Sequence, residues 1–194
     1  MPVRNGTSVT RERILAAARP VVERFTVTKF GMEDVARAAG IARQTIYKHF
    51  TGRDDLLIAM FIQQLTEMRE ELSDIVEAEP SPEQLVAIFI EELKAAKDFP
   101  LFDAMLDPAV APKMAEMVFS SDEMFAARNA AWFPILERYT ASGVVDPGLD
   151  FARTVRWITY QEFWFLTHPT VLTPIDAERS TYVRDFIVKA LLAR

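Results

Sequence analysis

The chain has no cysteine at all. That excludes disulfides, thiolate metal sites and a cysteine nucleophile, and it fits a reducing cytoplasm. Histidine is almost as scarce. His49 and His168 are the only two and lie far apart, so neither a histidine-rich metal site nor a metal cofactor is expected. Long apolar runs are missing too. Charges interrupt each one well before the roughly 20 residues that a membrane span needs. The polar start, MPVRNGTSVTRER, holds no apolar stretch of signal-peptide length. Catalytic signatures are also lacking: there is no G-x-S-x-G, no P-loop and no H-E-x-x-H. The acidic pairs Glu70-Glu71 and Glu91-Glu92 read as solvated helix faces. Nothing here predicts an enzyme, and no cofactor is expected.

What is present is an ordinary globular composition with an uneven charge. Half of the 194 residues are apolar and 26% are charged. The net charge is −6. Residues 1–55 hold ten Lys or Arg against six Asp or Glu, whereas residues 56–194 hold twelve against twenty-two. A basic end on an acidic body suits a module that meets nucleic acid, with the body repelled by phosphate.

Helical periodicity runs through nearly the whole chain, and no stretch shows sustained period-two alternation. Ile14, Leu15, Ala18, Val21, Val22 and Phe25 make one face of a first helix, with Thr10 as its expected N-cap. Pro20 inside it either kinks the helix or shifts its boundary. Residues 26–31 read as a connector. Short helices follow over 32–39 and 41–50, separated by Gly40, which suits the left-handed residue that ends a helix. A long helix is predicted over 54–77, since Asp54 and Asp55 favour a helix start. Glu79-Pro80-Ser81-Pro82 is the clearest punctuation. Beyond it, helices are predicted near 83–97, 100–107, 110–118, 121–141, 149–167 and 175–193, with Pro134 expected to kink the fourth of these. His168 reads as a C-cap at a helix end.

Two short helices joined by a tight turn are the sequence form of a helix-turn-helix. At 100° per residue, Ile46 and Phe50 share the buried side of the second helix. Gln44, Thr45 and Lys48 point the opposite way, with Arg43 and Tyr47 on one flank and His49 on the other. An apolar back with an Arg/Gln/Thr/Lys front suits entry into the major groove. Arg can donate twice to guanine, Gln can pair with adenine, and the Thr methyl can meet thymine. Tyr47, Lys48, His49 and Arg53 can reach phosphates and fix the register. By itself the pattern equally fits an amphipathic helix with a solvated face.

The segment RERILAAARPVVERF together with MEDVARAAGIARQTIYKHFTGRDDLL resembles the N-terminal domain of TetR-family transcriptional regulators. GIARQTIYKHFTGRDDLL, residues 40–57, is its most specific part. The resemblance covers about residues 10–60. It implies an all-α protein. An N-terminal three-helix helix-turn-helix domain, residues 1–54, would be joined by a long helix to a C-terminal helical domain, residues 55–194, that binds ligand and dimerises. It makes Arg43, Gln44 and Thr45 base-reading candidates and Tyr47, His49 and Arg53 phosphate contacts. Two positions depart from the family's habit. Thr26 stands where glycine often ends the first helix. Gly31 stands where Ser or Thr often caps the second, so its backbone N–H would have to hold the phosphate.

The C-terminal part is rich in soft, bulky side chains, among them Phe102, Met105, Met117, Phe125, Trp132, Tyr160 and Trp164. Methionine fills irregular space and tolerates repacking, so these residues are candidates to line a site for a mostly apolar effector. They equally suit the core of a helical bundle. Glu162 and Arg156 lie near the aromatics, and either can anchor a polar head group. The helices near 149–167 and 175–193 are apolar over more than one face, which suggests a homodimer interface. A two-fold dimer predicts a pseudo-palindromic operator in double-stranded DNA. The expected function is therefore a cytoplasmic, DNA-binding repressor released by a small molecule.

Overall fold

The structure, a computed structural model of these 194 residues, describes residues 4–97, 101, 107–168 and 176–193. It is all-α. The only β feature among the described residues is a bridge between Val145 and Leu192. There the Asp146 N–H donates to Leu191 O at 2.9 Å, which pins the C-terminal segment to the 144–146 turn.

Helix α1 spans Arg4–Lys29, α2 Met32–Ala38 and α3 Arg43–Ile46. The first helix therefore begins well before Thr10. It continues through Pro20 and is broken instead at Thr26, whose φ of 64° and ψ of 161° lie outside the helical region. Only glycine reaches that region without strain. Ile14, Leu15, Ala18 and Val22 of α1 are buried with Val35, Ile46 and Phe50. The apolar spacing that predicted the first helix thus supplies its packed face, except that Phe25, expected on that face, is exposed at the break near Thr26.

Gly40 has φ of 65°, as the sequence implied. Its N–H donates to Arg37 O at 3.2 Å, and the Ile41 N–H reaches Ala36 O at 3.0 Å. This paired closure is a Schellman motif, and it sets the turn between α2 and α3. The second short helix is briefer than the predicted 41–50. Ala42 caps it, one α-helical turn covers Arg43–Ile46, and hydrogen-bonded turns carry the chain to Phe50.

Helix α4 is Arg53–Glu71, and α5 is Ser73–Glu77. The single helix expected over 54–77 is interrupted at Leu72, whose φ and ψ are −91° and 7°. Glu70 and Glu71 are unfavourable beside the free carbonyls of a helix end, whereas Asp74 suits the first turn of a new helix. Helix α6 is Pro82–Lys97, α7 Ala111–Ser120, α8 Asp122–Ala141 and α9 Phe151–Thr167. Ser121 Oγ accepts from the Met124 N–H at 3.0 Å and starts α8, which runs on through Pro134. His168 is the C-cap of α9. The last predicted helix is not regular: α10 covers Asp176–Tyr182, then a π turn, Val183–Ile187, and a 3-10 turn, Val188–Ala190. The helix predicted near 100–107 falls largely outside the described residues.

Among the described residues, two apolar cores result. One joins α1–α3 to the first half of α4 and to Met114, Met117, Val118 and Met124. The other joins α6, α8 and α9 to the C-terminal turns through Phe89, Trp132, Tyr139, Ile158 and Ile187. The first core crosses residue 54, so α4 belongs to the packing of both parts. No described helix is long and apolar enough to cross a membrane.

Candidate nucleic-acid interface and internal cavity

The buried and exposed sides of the α3 region separate as the sequence angles require. Ile46 and Phe50 are buried, while Arg43, Gln44, Tyr47 and Lys48 are exposed together. Thr45 and His49 are half-buried. Tyr47, expected on a flank, is thus open, and Thr45, expected to face outward, is partly covered. Arg43 is not idle in the free protein. Its guanidinium pairs with Glu33 of α2 and lies 5.8 Å from the Tyr47 ring centre. This exposed pair is weak in water, so releasing it to a base edge costs little.

Gly31 and Arg53 have other partners than those expected. The Gly31 N–H donates to Asp34 Oδ2 at 3.2 Å. A phosphate at the start of α2 would have to displace that carboxylate. Arg53 turns inward. Its Nη2 donates to Val27 O at 2.6 Å, and its guanidinium lies 4.7 Å from the Phe30 ring centre. It ties the start of α4 to the turn that follows Thr26. Arg13 likewise donates to Ala39 O at 3.0 Å, at the end of α2. Nothing in the sequence pattern separated these bracing arginines from those left free on the surface.

A second site lies between α4, α6, α7, α8 and α9. It is a cavity of about 100 Å³ whose apolar wall includes Phe61, Leu65, Met68, Val118 and Phe163. Gln64, Arg128, Thr159 and Glu162 are the polar wall residues. Arg128 is buried in a compact network. Its Nη2 donates to Glu162 Oε2 at 2.5 Å, Nη1 and Nη2 lie 3.4 Å from Glu92 Oε2, and Nε donates to Thr159 Oγ1 at 3.2 Å. Burial pushes the Glu162 carboxyl well above the usual carboxylate range; Arg128 opposes this and the Glu92 charge adds to it. The second Glu162 oxygen, Oε1, is buried with no hydrogen-bond partner among the described residues.

The aromatic and methionine candidates lie elsewhere. Trp132 is in the second core, and Met117 borders a separate outer cleft with Lys113 and Asp54. Phe125 lies beneath Arg156, whose guanidinium is 3.8 Å from its ring centre. Tyr160 is exposed and stacks on Phe119 at 4.2 Å. Trp164 stacks on His168 at 5.6 Å. Phe102 and Met105 lie outside the described residues. None of the five described candidates lines the cavity. Of the two head-group candidates, Glu162 does and Arg156 does not. The cavity wall is chosen by where helices cross, which no local pattern encodes. Arg128 and Glu92, the remaining ions of the network, carried no motif that could have singled them out.

Residues 14–60 match the sequence model of a family described as bacterial regulatory proteins, tetR family. An uncharacterised HTH-type transcriptional regulator of Mycobacterium tuberculosis is 27% identical over 183 residues, covering 94% of this chain and 85% of the relative. The R. erythropolis transcriptional repressor QsdR shares the fold, with a TM-score of 0.71 at 17% identity over 96% of this chain and 97% of that one. The repressor AlkX of a Dietzia strain, implicated in n-alkane biodegradation, gives a TM-score of 0.68 at 20% identity over 94% and 97%.

Proposed function

We propose, from the premise that this chain belongs to the TetR family of transcriptional regulators, that it binds a pseudo-palindromic operator as a homodimer and represses transcription until a small, mostly apolar ligand releases it. One observation carries the DNA reading. Arg43, Gln44, Tyr47 and Lys48 stand exposed on a turn whose opposite side, Ile46 and Phe50, is locked into the core. A rigid back under a polar front lets side chains meet base edges without unfolding their support. Arg43, Gln44 and Thr45 read bases in this proposal. Tyr47, Lys48 and His49 hold phosphate. Gly31 and Arg53 act mainly by shaping the module.

Release follows from the placement of α4. Its first turn belongs to the N-terminal core, and Phe61, Gln64, Leu65 and Met68 farther along it line the cavity. A ligand that favours one position of α4 would shift the spacing of the two DNA-reading turns in the dimer.

The test is binding to DNA from upstream of the chain's own gene, followed by fluorescence anisotropy across a salt series. Log K should fall linearly with log salt. Arg43→Ala should cost about 1–3 kcal/mol and relax base preference, whereas Lys48→Ala should weaken all sequences alike and reduce the salt slope by about 1. Absence of binding at low salt, or identical effects of the two substitutions, would contradict the assigned roles.

A further inference from the structure

Residues 31–50, which carry the DNA-facing surface proposed above, hold two acids, Glu33 and Asp34. Asp34 is occupied close by. It accepts from the Gly31 N–H at 3.2 Å and from Arg37 Nη1 at 3.3 Å. Glu33 is placed differently. It stands exposed in the first turn of α2, and its Oε1 pairs with Nη1 of Arg43, the first residue of α3. Tyr47, four residues further along, holds the same guanidinium from a second side, with its ring centre 5.8 Å away. One contact crosses between two helices and the other follows the α3 turn. The charged end of Arg43 therefore has a preferred place before any DNA arrives. A carboxylate on a face that meets a polyanion weakens binding to every sequence, unless it keeps its cation.

We infer that Glu33 is a positioning residue for sequence discrimination: it keeps Arg43 directed at a guanine edge and disfavours contact of the same arginine with phosphate. The inference rests on the DNA-binding function proposed above, and it adds how that surface tells one base from another. Arginine carries its N–H donors in a rigid fork. A carboxylate on Nη1 leaves Nε and Nη2, a pair of donors that can meet O6 and N7 of guanine together. Guanine can thus be read with the ion pair intact. Adenine puts a donor, its N6 amino group, where guanine has O6, so the fork meets one acceptor instead of two. A phosphate on the same fork brings a second anion beside Glu33. Parting the pair to reach that phosphate leaves the carboxylate uncompensated. In water the parting costs little, but the negative potential at the DNA backbone makes a lone carboxylate unfavourable there. Glu33 therefore subtracts from binding to all sequences and subtracts least where the pair persists. Specificity is that difference.

Selection from a library of randomised DNA duplexes tests this, using the full chain as wild type, Glu33→Gln, Arg43→Ala and the double variant. Anisotropy titrations then follow on the selected duplex, its single-base variants and an unrelated duplex, across a salt series. Glu33→Gln keeps the size and an acceptor but removes the charge. It should tighten binding to the unrelated duplex about threefold and steepen its salt slope by about 1, as Arg43 gains a phosphate. It should also reduce guanine preference about threefold or more at one position, the position whose preference Arg43→Ala abolishes. In the Arg43→Ala background, Glu33→Gln should leave the base profile unchanged. A purely structural role in α2 would instead lower Tm and weaken all sequences alike. That outcome, an unchanged profile in folded Glu33→Gln, or an equal change with and without Arg43 would overturn the inference and leave the regulator standing. A wild type that selects no sequence, or an Arg43→Ala variant that loses no base preference, would overturn the DNA-binding roles themselves and the inference with them.

Discussion

Thr26 sits at φ 64° and ψ 161°, where a β-branched side chain is strained. Such a residue costs about 1–3 kcal/mol, and glycine avoids most of it while losing about 0.5–1 kcal/mol of unfolded-state entropy. Thr26→Gly gives up the exposed contact between the Thr26 and Thr28 hydroxyls, 3.0 Å apart, which is worth little in water. The substitution should therefore raise stability by about 1 kcal/mol and Tm by about 2–4 °C, as read by calorimetry. An unchanged or lower Tm would show that the position is not strained. Glu162 makes a prediction of opposite character. Burial raises its folded-state proton affinity above the unfolded value, with Arg128 opposing and Glu92 reinforcing. The native state therefore holds the proton longer. This contribution to stability is fully present below the ordinary carboxylate range and is lost as pH rises through the raised folded-state value. Glu162→Gln is neutral throughout, so its Tm should gain on the wild type as pH increases across that window. Parallel Tm–pH curves would rule this out.

At the scale of elements, the α2–α3 junction and the α4–α5 break show how differently two interruptions arise. The first is written in one residue. Gly40 at φ 65° closes α2, and a Cβ there would meet nothing within 4 Å. Gly40→Ala should then cost only the conformational penalty of a left-handed residue, about 1–2 kcal/mol. Urea denaturation should show that loss with an unchanged slope. A cost near zero would mean that the turn is set by packing alone. The second interruption has no such marker. Leu72 is an ordinary helix former. Around it, Arg138 of α8 donates from Nη2 to Val76 O and to Ala78 O, the latter at 3.0 Å, and Gln84 donates to Ile75 O at 2.5 Å. These long-range donors satisfy the end of α5, so a five-residue helix persists where local propensity alone would not sustain one.

For the whole molecule, the question is what covers the last helix and its turns. Phe186 is 65% exposed although its ring lies tilted against Tyr182, whose ring also meets Phe165. In the homodimer proposed through α9 and the C-terminal turns, Phe186 would be covered by the partner. Phe186→Asp should shift the sedimentation of the chain towards the monomer and weaken operator binding, with helical circular dichroism preserved. A dimer that survives the substitution would move the interface elsewhere. Operator affinity should depend on protein concentration for the same reason, since only a dimer engages both half-sites at once. Salt screens the repulsion between the acidic C-terminal body and DNA, so that repulsion should make the salt dependence shallower than the basic module alone would give.

The helices of the N-terminal module, the left-handed Gly40 and the polar front of α3 could be read directly from the chain. Each depends on neighbours within a few residues: apolar spacing of three and four, a glycine at a helix end, one face set against another. Family resemblance rested on the same local signals. The tertiary structure decided which arginines brace the module and which basic side chains stay exposed. Arg53 and Arg13 look like Lys48 in sequence, and only the approach of Val27 O and Ala39 O sets them apart. It also decided the cavity. Arg128, Glu92 and Glu162 come from three helices spread over 71 positions of chain, and their charges meet only when α6, α8 and α9 pack. A motif can announce a helix because hydrogen bonds and side-chain periodicity are local. A buried ion network depends on crossings between distant helices, where desolvation and pairing act on groups that the sequence leaves far apart.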